Sequence, residues 1–510
     1  MTRDRSLTPT RKNQPMETTR TADPPRDLTP WMGALLALGV FASHLPFLTP
    51  GYGTDTDAWK FATAIREMWQ TGRYTVSRFP GYPVVEVLSV PFGPLGPWAT
   101  NMLSAVAAAA CAWLAARVFA RHGVRDAMLA GAAFVFVPAA FIAGTSSMDY
   151  LWGLAFALAA WLDASSGRAA RAGLWLGLSI GSRLTSVLFL PPLALLVACA
   201  PGGHRTRRVL ALGGLAAVVA AACYAPVFAR YRWLMFSYSE IQGGQSSALK
   251  FATGMFSGGD PGIAWPLIGG QATVMLIGVL GCIAVGLALV SLAWQPRGAP
   301  RAATIDRVSG WAAALIVGLE AAVYLRLPHD EGYLLPAVPF LMLALAALVT
   351  PTRFRAVCVA FLLSPFLLGV DVEPPKKGLM PPTASAPAWR LPVGHETVVV
   401  ELLRGPVLRD HAKRMRMQQV ADRLEQWWPT RPERFLLAAG NLTPMVYHLF
   451  PAPPAERHYA RSYTPEARAQ AQREGISIFV LPDVARRMAL TEHVQTIPGL
   501  IPLAGAEETP

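Results

Sequence analysis

The sequence predicts an all-α polytopic membrane protein of about eleven transmembrane helices, followed by a small C-terminal α/β domain. Three observations carry this expectation. The 510 residues are 53% hydrophobic and only 15% charged, whereas soluble domains carry about 25% charged residues. Apolar runs close to the roughly 20 residues that cross a hydrocarbon core recur as far as residue 370. Lys and Arg cluster in alternate short connections between those runs, the asymmetry that orients helices in a bilayer.

Residues 1–30 are polar, rich in Thr and Pro, and carry Arg3, Arg5, Arg11, Lys12, Arg20 and Arg26, so they read as a disordered cytoplasmic tail. No small-residue cleavage site follows the first apolar run, 31–49, which reads as an uncleaved anchor. Further spans are expected near 98–119, 126–143, 148–163, 171–182, 184–200, 209–229, 267–294, 308–326, 333–350 and 354–370. The connections after the even-numbered spans hold Arg117, Arg121 and Arg125; Arg168 and Arg171; Arg205, Arg207 and Arg208; Arg297, Arg301 and Arg307; and Arg353 and Arg355. A cytoplasmic N-terminus satisfies the positive-inside rule. An odd number of spans then puts the C-terminus outside, as for a multi-pass protein of the plasma (inner) membrane.

Residues 171–200 are expected to form two short helices turning at Gly181-Ser182-Arg183, because one long helix would put Arg205, Arg207 and Arg208 on the wrong side. An outer loop runs from 50 to 97. It opens with an amphipathic stretch (Trp59, Ala62, Ile65, Met68, Trp69) expected to lie on the membrane surface. An apolar piece follows, 83–96, too interrupted by Pro91, Pro94 and Pro97 to span. Residues 371–396 are rich in Pro, Lys and Ala and read as a linker to an exported α/β domain, 397–510. In that domain His411–Trp428 reads as a helix, 434–440 as a strand, "LTPMVYHLF" as a helix and "ISIFVLP" as a strand.

The formal net charge is +13. In this chain the excess follows the helix connections, and no basic patch interleaved with aromatics lies outside them, which argues against a nucleic-acid partner. Cys111, Cys199, Cys223, Cys282 and Cys358 all fall in expected spans, without CxxC or Cys/His spacing, so neither a disulfide framework nor a structural zinc site is indicated.

Ionisable residues at membrane depth or at the outer face are costly and are default functional candidates. Asp55-Thr56-Asp57 follows the first span; two such carboxylates suit a general base or a divalent-cation site, or else a solvated turn or helix N-cap. Arg78 precedes Pro80-Gly81-Tyr82-Pro83, a turn that sends the chain back to the membrane; it suits a phosphate or carboxylate, or an interfacial anchor. Arg183, in "IGSRLTS", calls for an anionic partner, either a lipid phosphate or a carboxylate such as Asp149. His329, Asp330 and Glu331 lie at the outer mouth of the span at 333, placed for acid–base or metal work or as a hydrated helix start. Glu320, inside its span, is a further costly group. The stretch 237–247, "SYSEIQGGQSS", suits sugar hydroxyls only weakly.

The order of these elements resembles the GT-C membrane glycosyltransferases of the protein-mannosyltransferase-like group. The acidic motif after span one, "TGRY", Arg78-Phe79-Pro80-Gly81-Tyr82-Pro83, "MDYLWGLAFALAAWL", "GLWLGLSIGSRLTSVLFLPPL", "GYLLPAVPFLMLALAAL" and "ADRLEQWWPTRPERFLLAAGNLTPMVYHLF" carry the resemblance over nearly the whole chain. It implies transfer of a sugar from a polyprenyl-phosphate-linked donor to a glycan, lipid or protein acceptor at the outer face. It implies an acidic base at Asp55 or Asp57, with basic residues at helix ends, such as Arg183, holding the lipid phosphate. Arg78, Tyr82, Asp149, Arg183, His329, Asp330 and Glu331 are the expected substrate-binding residues, and Mg²⁺ or Mn²⁺ is a candidate cofactor. The chain departs from the group in having Asp-Thr-Asp where Asp-Glu is common, and Asp330-Glu331-Gly332 where a basic residue is common.

A transporter or flippase is the main alternative, since broken helices and buried charge serve transport too; no internal repeat of two related halves is seen in the sequence. Transfer of a whole glycan or an acyl group is the third reading, with His329 the candidate acyl-transfer histidine.

Overall fold

The computed structural model describes residues 28–236, 264–296, 298–326, 331–373, 388–393, 396–451, 459–460, 469 and 473–481. The expected tail up to residue 27 and the stretch 237–247 lie outside the described residues.

Apolar helices dominate the first 367 residues. α1 (Pro30–His44) leads to the loop before the amphipathic α2 (Thr56–Thr71), and the short α3 (Pro83–Ser89) precedes α4 (Pro97–Arg121). α5 (Ala127–Val135) and α6 (Pro138–Thr145) form a bent pair, followed by α7 (Tyr150–Ser165), α8 (Ala169–Ser182), α9 (Leu190–Cys199) and α10 (Arg205–Tyr231). α11 (Ala264–Val290), α12 (Arg307–Arg326), α13 (Val338–Leu348) and α14 (Pro351–Leu367) complete the bundle.

By length and composition, six described helices suffice to cross a membrane, or seven if α5 and α6, bent by 67°, count together. That measure falls short of the expected eleven because several apolar segments are broken or short. Val137 is extended (φ −60°, ψ 140°) ahead of Pro138, as the residue before proline tends to be. α7 and the segment Leu184–Cys199 are apolar but shorter. The break expected at Gly181-Ser182-Arg183 is present: α8 stops at Ser182 and Arg183 is extended, with φ −158° and ψ 115°. Within α11, Gly278 has φ 72°, and a Cβ there would fall 1.9 Å from Ser364 Oγ, so only glycine allows the kink and the close approach of α14.

Arg-bearing connections are tied to one another. Arg121 donates to Ser165 O (2.7 Å) and Ser166 Oγ (3.0 Å), Thr304 N donates to His122 O (3.0 Å), and Ala302 N donates to Val349 O (2.9 Å). Arg355 pairs with Asp126 at 2.9 Å. These contacts gather the Arg-bearing connections at one end of the bundle. The loop before α2 and the C-terminal domain share the other.

The apolar face of α2 packs on protein. Trp59, Ala62, Ile65 and Met68 are buried. They face protein, because α2 packs against α3, the turn Val90–Leu95 and the C-terminal domain. Trp69, one residue and about 100° further round the helix, is 55% exposed.

The C-terminal part contains two small sheets. β1 (Leu368–Glu373) and β2 (Ala388–Val393) both pair antiparallel with β3 (Glu396–Leu402). The expected linker, 371–396, is thus partly strand. Val370 faces Val400 and Val372 faces Val398, and such β-branched cross-strand pairs favour pairing even beside a Pro-rich segment. In the second sheet β4 (Phe435–Ala438) lies between β5 (Tyr459–Ala460) and β6 (Ser477–Val480), all parallel. α15 (Pro406–Trp427) and α16 (Thr443–Leu449) pack on this α/β unit and on the bundle.

Docking is polar as well as apolar. Gly405 N donates to Phe366 O (2.9 Å), and Arg66 of α2 donates to the carbonyls of His448 and Tyr447. The His448 ring meets Tyr52 and Trp59 edge-on, at 4.9 and 5.7 Å between centroids. Burial, and then the neighbouring Arg66 guanidinium, push the His448 imidazole from 6.5 down to about 4. A histidine with a lowered folded-state pKa protonates more readily once unfolded, so stability is lost as pH falls from about 6.5 toward about 4. The melting temperature of the purified protein is expected to drop across that window and to drop less in His448→Gln; equal pH dependence of the two would contradict this.

Candidate active site

The site lies at the end of the bundle that carries the C-terminal domain, and each of its side chains is aimed by local structure. The loop from α1 to α2 is held along its length. Asn101 donates to Leu48 O (2.7 Å) and Gly51 O (2.9 Å), Ser147 N donates to Tyr52 O (2.8 Å), and Trp59 Nε1 donates to Gly53 O (3.1 Å). Asp55 then caps α2, its Oδ1 accepting from Asp57 N at 2.9 Å. Asp57 sits in the first turn, where a carboxylate complements the helix dipole.

Arg78 is carried by the connection from α2 to α3, which wraps around Glu86. That carboxylate is fully buried and accepts from Ser77 N (2.8 Å), Ser77 Oγ (2.6 Å), Tyr82 N (3.0 Å) and the Tyr74 hydroxyl. Gly81 turns the chain with φ 103°, and Tyr224 of α10 donates to its carbonyl at 3.1 Å. Arg183 stands where α8 breaks. α8 is pressed against α10 so closely that a Cβ on Gly173 or Gly177 would fall 2.5 Å from Leu212 O or Val219 Cβ, the small-residue contact common between membrane helices.

These stretches meet in one ionic chain. Lys60 Nζ lies 3.0 Å from Asp57 Oδ1. Arg78 donates to Asp57 with one amino group and to Asp149 with the other. The second Asp149 oxygen accepts from Arg183 at 2.7 Å. Asp149 is 2% exposed. Arg78 lies over the Tyr82 ring at 4.5 Å, and Arg183 lies over Tyr150 at 3.9 Å and Tyr333 at 4.8 Å, contacts that favour a cation taken from water. Burial alone would raise the Asp57 carboxyl, but the Arg78 and Lys60 cations outweigh it and hold the carboxyl below its ordinary value.

Asp55, Asp57, Arg78, Tyr82, Asp149 and Arg183 are thus drawn to one place; of the alternatives weighed, Asp55 is an N-cap and Arg183 pairs with Asp149. Glu331 opens a tight helical turn, Glu331–Ala337, that also bears Tyr333. His329 and Asp330 lie outside the described residues. Glu320 of α12 is 2% exposed, with Arg183 the cation that acts on it. Among the described residues no group of three or more His, Cys, Asp or Glu is placed to hold a metal ion.

Sequence reasoning missed Lys60, Glu86, Tyr150 and Tyr333. Glu86 had a usable signal, as the lone carboxylate in the apolar piece 83–96. The tyrosines had none, since aromatic residues at helix starts are common near membrane interfaces.

The search of solved structures places the chain beside ArnT from Cupriavidus metallidurans. The form bound to undecaprenyl phosphate aligns over 94% of this chain and 99% of that chain, at TM-score 0.51 and 14% identity. The apo form aligns over the same shares, at TM-score 0.41 and 15% identity. No family model matches the sequence, and no curated protein does. The first alignment shows the fold: the chain is a multi-pass membrane protein of GT-C architecture.

Removing one partner from a buried ion pair costs on the order of 3–5 kcal/mol, whereas a solvent-exposed pair contributes about 0–1 kcal/mol. Asp149→Asn is therefore expected to lower thermal stability in detergent far more than Lys60→Gln. Similar losses in the two variants would contradict a network centred on Asp149.

Proposed function

We propose that the protein is a glycosyltransferase that moves a sugar from a polyprenyl-phosphate-linked donor to a glycan, lipid or protein acceptor. The observation that carries this reading is the joining of Asp57, Arg78, Asp149 and Arg183 in one ionic chain beside Asp55. The GT-C fold supports it, as does the undecaprenyl phosphate bound to the ArnT structure of the same fold. In this reading the N-terminus is cytoplasmic and the site opens at the outer face of the inner membrane, among the headgroups that carry the donor.

The residues divide the reaction between them. Asp57 is held ionised by two cations and is a weak base. Asp55, exposed at the N-cap, is the residue assigned as base. The acceptor oxygen attacks the anomeric carbon, its proton passes to Asp55, and the bond from that carbon to the phosphate oxygen breaks. The polyprenyl phosphate leaves as an anion and needs positive charge where its charge develops. Arg78 supplies it by exchanging Asp57, whose side chain is 25% exposed, for the phosphate. The buried Asp149 keeps Arg78 and Arg183 aimed throughout.

Asp55→Asn is expected to reduce transfer of labelled sugar in membranes by about 10²–10⁴-fold, the usual contribution of a general base. Asp57→Asn is expected to act mainly on the apparent affinity for the lipid donor. Full activity in both variants would remove the proposed base, and substrate counterflow in proteoliposomes without a covalent product would replace transfer by transport.

A further inference from the structure

The last residue before Asp55 is held from outside the bundle. Thr54 Oγ1 donates to Asp410 Oδ1 at 2.7 Å, and Asp410 belongs to α15 of the C-terminal domain. The other Asp410 oxygen lies 2.9 Å from Arg414 Nε, one helical turn further along. Arg414 is 1% exposed and donates to Thr145 O at 2.6 Å and to Thr145 Oγ1 at 3.1 Å. Thr145 ends α6, just before the turn that delivers Ser147 and Asp149.

We infer that Asp410 and Arg414 are positioning residues, a buried clamp by which the C-terminal domain holds together the two loops that present Asp55 and Asp149. The inference deepens the reading of Asp55 as the base and rests on it for its catalytic consequence. Hydrogen bonds from the bundle secure Leu48, Gly51, Tyr52 and Gly53, and at Thr54 the hydrogen bond goes to the C-terminal domain instead. A fully desolvated arginine persists where its partners are in place, since stranding it is costly. The pair with Asp410 therefore ties correct docking of α15 to correct placement of both loops. In this reading the domain does more than cover the site; it sets the distance from base to guanidinium pair.

The test uses the purified full-length protein and four variants: Thr54→Val, which keeps shape and loses the hydroxyl; Thr54→Ser, which restores it; Asp410→Leu; and the double variant Thr54→Val with Asp410→Leu. Hydrogen–deuterium exchange over residues 51–57 is expected to quicken in Thr54→Val and Asp410→Leu and to return to wild-type rates in Thr54→Ser. The double variant is expected to exchange no faster than the faster single variant, because the interaction lost in Thr54→Val is already lost in Asp410→Leu. In sugar transfer, kcat is expected to fall by roughly 10–100-fold, as for a slightly misplaced catalytic group, with KM for the lipid donor unchanged. Unaltered exchange in both single variants, or additive effects in the double, would overturn the clamp. A wild-type protein that transfers no sugar would instead overturn the proposed function, leaving the exchange measurements to decide the clamp.

Discussion

A carboxylate shared by two guanidinium groups organises this molecule. Asp149 is almost wholly withdrawn from solvent and accepts from both Arg78 and Arg183. None of the three is tolerable alone at such depth, because an unpaired charge taken from water costs several kcal/mol. Their pairing obliges the connection from α2 to α3, the start of α7 and the break after α8 to converge. Glu86 beneath the Arg78 loop and the glycine contacts between α8 and α10 are the means by which that convergence is held.

The bundle is polar in two different ways at its two ends. Arg-bearing connections are tied together at one end by contacts such as Arg121 to Ser165 and Arg355 to Asp126. At the other end acidic and basic groups interleave, and Asp57 is more open to solvent than Arg78, Asp149 or Arg183. A broken helix serves the second end: the interruption at Arg183 gives shape and polar groups to a region that a continuous helix would leave apolar.

The C-terminal domain belongs to this arrangement. α2 places its apolar face against protein that includes α16, and Arg66 reaches the carbonyls of Tyr447 and His448. Its surface toward the bundle therefore combines an aromatic contact around Tyr52 and Trp59 with buried polar bonds at Thr54 and Thr145.

The membrane class, the order of the apolar segments, the turn at Arg183 and the α/β character of the C-terminal part were determined by the sequence alone. Each depends on local quantities: hydropathy over a helix length, charge in a connection, or the period of apolar residues. The candidates Asp55, Asp57, Arg78, Asp149 and Arg183 were visible for the same reason, as charges standing out against apolar surroundings. Partner choice was visible for Arg183, for which Asp149 was a named candidate, but not elsewhere. Arg78 lies 71 positions from Asp149, and Arg414 lies 269 from Thr145; nothing in "HAKRMRMQQ" marks Arg414 as buried rather than solvated. The strand at 368–373 was hidden for a like reason, since its partner Val398–Val400 lies across a Pro-rich segment. Tertiary structure alone decided these matters, because a charge can be buried only where distant segments bring it a counter-charge.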